Sequence, residues 1–211
     1  MIVLAKLILG FIFSYTLGSI PTGYWAGKLL KGIDIREHGS KNMGATNVFR
    51  VLGKTPGILV LLLDVLKGVV AVAVVPRILG LHDHLSYIFC GLVAVCGHNW
   101  TVFLRFKGGK GVATSLGVFL GLTIQVASLR LAVALCVLTW LIVFVAFGYV
   151  SLASIVAAAA LPFLMVLFAQ PLELVMLGVV FCGLVVLRHR PNIQRLLQGR
   201  ESRFRFPFRK T

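Results

Sequence analysis

Carboxylates are what this chain has least of. Its 211 residues hold six Asp and Glu against 21 Lys and Arg, a formal net charge of +15. The acidic residues expected on the basic face are Asp34, Glu37 and the distant Glu201, a spacing that builds no oxygen cage for a divalent cation, so no metal is expected. Cysteine is equally uninformative as a ligand: Cys90, Cys96, Cys136 and Cys182 lie singly in apolar runs with no Cys-x-x-Cys, which reads as buried reduced thiols. The Gly-x-x-x-x-Gly-Lys-Ser/Thr loop of nucleotide hydrolases is missing. No small-residue cleavage site follows the first apolar run, so that run is expected to stay as a helix. Basic residues do not alternate with aromatics as strand-binding surfaces require, and nucleic acid is not an expected partner.

What is present is apolar length. Hydrophobic residues make up 59% of the chain, charged residues 13%, and the mean hydropathy is +0.98. The pattern predicts an all-α, polytopic membrane protein, a compact bundle of about seven spans near 3–27, 55–77, 85–104, 112–127, 129–147, 150–168 and 171–188. Pro56-Gly57, Pro76, Gly148 and Pro171 punctuate the ends. Seventeen of the 21 cations fall in the loops 28–54 and 105–110 and in the tail from Arg188 onward. That asymmetry predicts an N-terminus outside and a C-terminus in the cytoplasm. Residues 1–190 are expected to form one seven-helix transmembrane domain, with 191–211 as its basic cytoplasmic segment.

The basic face carries the informative polar residues. Phe106-Lys107-Gly108-Gly109-Lys110-Gly111-Val112-Ala113-Thr114 joins two apolar runs. Glycines let successive backbone N–H groups turn toward one point, and the run from Val112 places a helix N-terminus there. By itself the loop reads equally as a phosphate cradle or as an ordinary basic flank. A second loop, His38-Gly39-Ser40-Lys41-Asn42-Met43-Gly44-Ala45-Thr46-Asn47 with Arg50, gathers hydroxyls, amides and cations able to converge on one oxyanion. The bland alternative is a turn and a helix cap, which would need one such residue and not four.

Three further segments share that face. Gly97-His98-Asn99-Trp100 leads into the glycine loop, where His98 is either a site histidine or a helix-end histidine bonded to backbone. Ser151 opens the sixth span and either caps it or donates to a phosphate. His189 and Asn192 share a face if their segment is helical, although Pro191 suits the start of a short helix. Glu201 is expected to orient arginines. Within the second span, Asp64 and Lys67 stand at i, i+3 and can neutralise each other locally.

Taken together, these motifs resemble the bacterial acyl-phosphate:glycerol-3-phosphate acyltransferases, integral membrane enzymes of phospholipid synthesis. The likeness runs collinearly through Gly18-Ser19-Ile20-Pro21, the Gly39–Arg50 loop, Gly97-His98, Phe106–Thr114 and His189–Glu201. It implies a compact seven-helix domain in the bacterial inner membrane with its active site on the cytoplasmic side. The implied reaction moves a fatty acyl group from acyl phosphate to the 1-position hydroxyl of sn-glycerol 3-phosphate, releasing lysophosphatidic acid and inorganic phosphate. By position it also implies that Lys110, Arg50, His189 and Asn192 are catalytic, with Ser40, Asn42, Gly44, Asn47, Gly108, Gly109, Gly111 and Ser151 binding substrate. No cofactor is implied, and the partners are acyl phosphate, glycerol 3-phosphate and membrane lipids, with no acyl-CoA. Lys41 stands where the family usually has Gly, Thr101 where it usually has Pro, and Arg200 where Thr is common.

Two other enzymes are disfavoured. No histidine has Asp five positions on, as the acyl-CoA type of glycerol-phosphate acyltransferase needs, and no Asp precedes Gly, as CDP-alcohol phosphotransferases need. The reading from another class is a small membrane transporter or binder of organic phosphate anions, which would want polar groups through the mid-membrane.

Overall fold

The computed structural model describes residues 1–204; the tail cations Arg205, Arg209 and Lys210 lie outside them. Eleven α-helices and two short 3-10 turns make up the regular structure of the described residues. In chain order they are α1 (Ile2–Ser19), α2 (Thr22–Lys31), α3 (Ala45–Leu52), α4 (Lys54–Ala73), α5 (Val75–Ile78), α6 (His84–Asn99), α7 (Val112–Gln125), α8 (Leu129–Phe147), α9 (Val150–Leu167), α10 (Leu172–Arg188) and α11 (Arg190–Leu197).

Five stretches are long and apolar enough to cross a membrane: Ile2–Lys31, Lys54–Ile78, His84–Leu104, Leu129–Phe147 and Val150–Leu167. A sixth is added if α10 and α11, bent by 61°, count as one. The first expected span is broken after Ile20, because Pro21 has no N–H with which to continue α1. The fourth is only α7, whose 14 residues reach about 21 Å at 1.5 Å per residue, short of a hydrocarbon core of roughly 30 Å.

The chain divides into two compact units, Met1–Ala127 and Ser128–Thr211. In the first, α1 packs on α6 and α4 on α7. Both contacts bring backbones together where a side chain would not fit. A Cβ on Gly18 would lie 2.0 Å from the Ala94 carbonyl oxygen, and one on Gly117 1.9 Å from that of Val65. Small residues at helix crossings are how apolar helices gain contact when lipid offers no hydrophobic drive. Leu59, Leu61, Leu62, Leu63 and Leu66 of α4 remain exposed, as a lipid-facing surface requires. At one end of this unit Ile35, Met43, Val48, Val60 and Leu104 form a buried cluster with Tyr24, Ala26 and Val51 against it. The Ser40 loop and the segment leading to the glycine loop therefore rest on one apolar floor.

In the second unit α9 packs between α8 and α10. Gln170, in the turn before α10, holds the start of α8. It accepts from Ser128 Oγ at 3.0 Å and donates to the Ser128 carbonyl at 3.2 Å. Trp140 Nε1 donates to Ser154 Oγ at 3.2 Å, satisfying a polar pair between apolar helices. Of the four cysteines only Cys90 is buried; Cys96, Cys136 and Cys182 are half-buried, and all four are free.

Candidate active site

The Ser40 loop is built around the side chain of Asn47. Its Nδ2 donates to the carbonyls of Ile35, His38 and Asn42 at 3.0, 3.0 and 2.8 Å, and its Oδ1 accepts from the Ser40 N–H at 2.7 Å. Asn47 is 1% exposed, so its amide shapes the loop from beneath. Asn42 Oδ1 accepts from the Gly44 N–H at 2.8 Å and sets up the turn into α3. Lys41, Ser40 and Arg50 are exposed around this turn. Lys41 has φ 58, in the left-handed region where glycine is free and a side chain is strained. The position where the resemblance expects Gly is thus one whose backbone asks for it. Upstream, Asp34 accepts from Arg36 Nη2 at 2.7 Å, and this hydrogen bond holds the Asp34 carboxyl below its ordinary range.

The glycine loop leaves α6 through Thr101, whose Oγ1 donates to the Ser19 carbonyl at 2.5 Å. Threonine at the usual proline position keeps a proline-like φ of −66 and gives its added hydroxyl a partner. The Gly108 and Gly109 amides do not turn toward an outside anion. They donate to the Asn99 and His98 carbonyls at 3.2 and 3.0 Å, so they tie the loop to the end of α6. Gly111, with φ 75, is the residue before α7, and the Val112 and Ala113 amides have no partner one turn back within the helix. Lys110 stands beside them, half-buried. The donors the loop leaves for an anion are the first amides of α7, with Lys110 next to them in sequence.

Behind this loop lies a buried polar cluster. Asp64 Oδ1 accepts from Thr22 Oγ1 at 2.7 Å and from Lys67 Nζ at 2.9 Å, and lies 3.7 Å from His98 Nδ1. Lys67 Nζ also donates to the Ile20 carbonyl at 3.1 Å. Thr114 Oγ1 is 3.2 Å from His98 Nδ1. The local neutralisation expected of Asp64 and Lys67 holds, but their bonds also reach α2 and the α1–α2 break. Thr22 carried no signal in the sequence that could have found it.

In the second unit the organising residue is Glu201. Its Oε1 accepts from Ser151 Oγ at 2.8 Å and Asn192 Nδ2 at 2.6 Å, and its Oε2 from Arg195 Nε at 2.7 Å. Burial by itself would raise the Glu201 pKa. The bonds from Asn192, Ser151 and Arg195 and the Arg195 charge outweigh it and hold the carboxyl below the usual range. Glu201 does orient an arginine, and it also gathers two of the expected site residues. Its signal was a lone carboxylate among tail cations. His189 sits at the α10–α11 bend, 3% exposed, with Nδ1 2.8 Å from the Val185 carbonyl. A carbonyl only accepts, so Nδ1 carries the proton and a neutral ring leaves its lone pair on Nε2. Pro191 is indeed in the first turn of a short helix.

Among the described residues the protein is all-helical, with apolar helices of membrane length, two basic loops in its first unit and a cation beside a helix N-terminus, the outline of a membrane protein that handles anionic groups. The profile of the glycerol-3-phosphate acyltransferases matches residues 8–199. A glycerol-3-phosphate acyltransferase of Fusobacterium nucleatum is 43% identical over 195 residues, covering 92% of this chain and 96% of that one. One of Geotalea daltonii is 48% identical over 195 residues, covering 91% and 94%. Two crystal structures of PlsY (YgiH), an integral membrane glycerol 3-phosphate acyltransferase, superpose closely. The glycerol 3-phosphate form gives a TM-score of 0.83 at 40% identity, covering 94% of this chain and 96% of that one. The lysophosphatidic acid form gives 0.82 at 41%, covering 94% and 95%. The chain belongs to the glycerol-3-phosphate acyltransferase family, and it is a membrane acyltransferase.

Proposed function

We propose that the acyl donor is acyl phosphate and that the enzyme transfers its acyl group to the 1-hydroxyl of glycerol 3-phosphate, releasing lysophosphatidic acid and inorganic phosphate. The observation that carries this is the loop Gly108–Gly111, which is bonded to α6 and delivers Lys110 to the N-terminus of α7. Such a site binds phosphate groups and stabilises the charge that grows on a leaving phosphate.

The donor is a mixed anhydride with a good leaving group, so positioning and charge stabilisation suffice without a covalent acyl-enzyme. The glycerol 3-phosphate hydroxyl adds to the acyl carbonyl carbon. The tetrahedral adduct then expels phosphate with the electron pair of the broken C–O bond. In the first unit, Lys110, Gly111 and the α7 amides receive a phosphate, while Arg50, Ser40 and Asn42 receive an anion at the other loop. Gly108 and Gly109 brace the one loop, and Asn47 and Gly44 shape the other. In the second unit, Ser151, Asn192 and His189 are the assigned polar residues, and the proton acceptor is the substrate's own phosphate or a neutral His189. No metal and no cofactor take part.

The same reading places the enzyme in the bacterial inner membrane as a single domain of about seven spans, N-terminus outside, with its active site on the cytoplasmic side. The charge asymmetry of the loops supports this. The deciding assay offers purified protein glycerol 3-phosphate with acyl phosphate or with acyl-CoA. Phosphate release and lysophosphatidic acid formation from the first alone are expected. Transfer from acyl-CoA alone would remove the acyl-phosphate reading. Glycerol 3-phosphate uptake by vesicles with no transfer would favour a transporter instead.

A further inference from the structure

Resting on that reading of the glycine loop, we propose that Asp64 and Lys67 are positioning residues that hold the phosphate-binding loop in register through His98 and Thr114. The pair is deeply buried, Asp64 1% and Lys67 4% exposed, in a stretch apolar enough to span a membrane. As a source of stability it is a weak choice, since a buried ion pair can usually be replaced by apolar side chains of similar volume without loss. What an apolar pair could not do is fix the polar groups around it, and those groups belong to the loop's support.

The geometry is a chain of contacts. Thr22 and Lys67 both donate to Asp64 Oδ1, and Lys67 reaches on to the Ile20 carbonyl where α1 gives way to α2. The same oxygen lies 3.7 Å from His98 Nδ1. His98 is 3% exposed and carries the loop in two ways. Its carbonyl accepts the Gly109 N–H at 3.0 Å, and its ring lies so close to Gly109 that a Cβ there would stand 2.2 Å from Nε2. Thr114, in the first turn of α7, meets the same ring nitrogen. The Thr114 hydroxyl at 3.2 Å is the hydrogen-bond partner that orients the ring, and the Asp64 carboxyl oxygen at 3.7 Å acts on it through charge. The first-turn neighbour of Thr22 completes the connection: the missing side chain of Gly23 admits the Met43 carbonyl of the Ser40 loop, which a Cβ would approach to 1.8 Å. Removing the charges should therefore let the loop drift while the helices stay packed.

The test compares Asp64→Asn/Lys67→Met, Thr22→Val and Thr114→Val with the wild type in detergent. Four quantities are read: affinity for inorganic phosphate, kcat and KM for each substrate, and the melting temperature without ligand. The charge-free pair is expected to melt within a few degrees of the wild type, yet to bind phosphate about tenfold more weakly and turn over about ten- to a hundredfold more slowly. Thr114→Val, which loses one hydroxyl and no volume, should shift phosphate affinity in the same direction. Unchanged phosphate affinity and kcat in the charge-free pair would overturn the proposal, as would losses that merely track a lowered melting temperature. Should the pair variant not fold, the two valine variants decide on the same criterion. Phosphate affinity does not depend on the donor, so a wild type inactive with acyl phosphate would end the donor reading and leave this one still decided.

Discussion

Asn192 Nδ2 donates a 2.6 Å hydrogen bond to the same Glu201 oxygen that accepts from Ser151, so one carboxylate fixes a residue at the start of α9 and one on α11. Replacing Glu201 by Ala should cost about 1–3 kcal/mol of stability, because it leaves buried donors without a partner. The pH dependence has a definite sign. The Glu201 pKa is depressed in the folded protein, so its contribution is fully present above the unfolded value of about 4.3 and is lost as pH falls through the folded value. Melting temperatures of wild type and Glu201→Gln should differ most near neutrality and converge below about pH 4. A gap that widens on acidification would contradict the assignment.

Lys110→Ala should abolish transfer while the protein still inserts in the membrane. Losing one charge aimed at a developing oxyanion lowers kcat by about 10²- to 10³-fold. Glycerol 3-phosphate assays on the purified variant check this, with circular dichroism to establish that the helices are intact. Near wild-type turnover would remove the loop from the reaction.

The long apolar runs and the basic loops between them were readable from spacing and charge alone, because both follow from local composition. The break at Pro21 and the shortness of α7 were harder, since an apolar run does not say where a helix stops inside it. The glycine loop shows the limit most clearly. Its composition announces an anion site, yet the Gly108 and Gly109 amides go to the His98 and Asn99 carbonyls. Which way an amide points depends on what lies behind it, and here that is the end of α6, on which the loop folds back. Glu201 and Thr22 are of the same kind: each is ordinary in sequence and acquires its role from partners 50 and 42 residues away.

Lys41→Gly should stabilise the protein. Lys41 holds a left-handed backbone, φ 58, that penalises a side chain by about 1–2 kcal/mol, and glycine adopts it freely. Part of the gain is returned through the larger entropy of the unfolded chain, leaving about 1 kcal/mol. Thermal unfolding in detergent measures it, and a lowered midpoint would show that the lysine side chain contributes more than its backbone costs.

Asn99→Leu separates fold from chemistry at the inner wall of the glycine loop. Asn99 is fully buried, and neither its Oδ1 nor its Nδ2 has a partner among the described residues. The amide lies directly behind Gly111, where an added Cβ would come within 2.7 Å of Oδ1. The bond that Asn99 gives the loop is made by its backbone carbonyl, so leucine keeps it. Each unpaired buried polar atom is worth about 1–3 kcal/mol of destabilisation, and an apolar side chain of similar size removes both. The leucine variant should therefore melt at or above the wild-type temperature without substrate. A drop of more than about 5 °C would mean the amide is already satisfied in the resting protein. If the variant is stable and yet binds phosphate poorly, the amide belongs to the ligand; if it is stable and binds normally, the asparagine is dispensable to both.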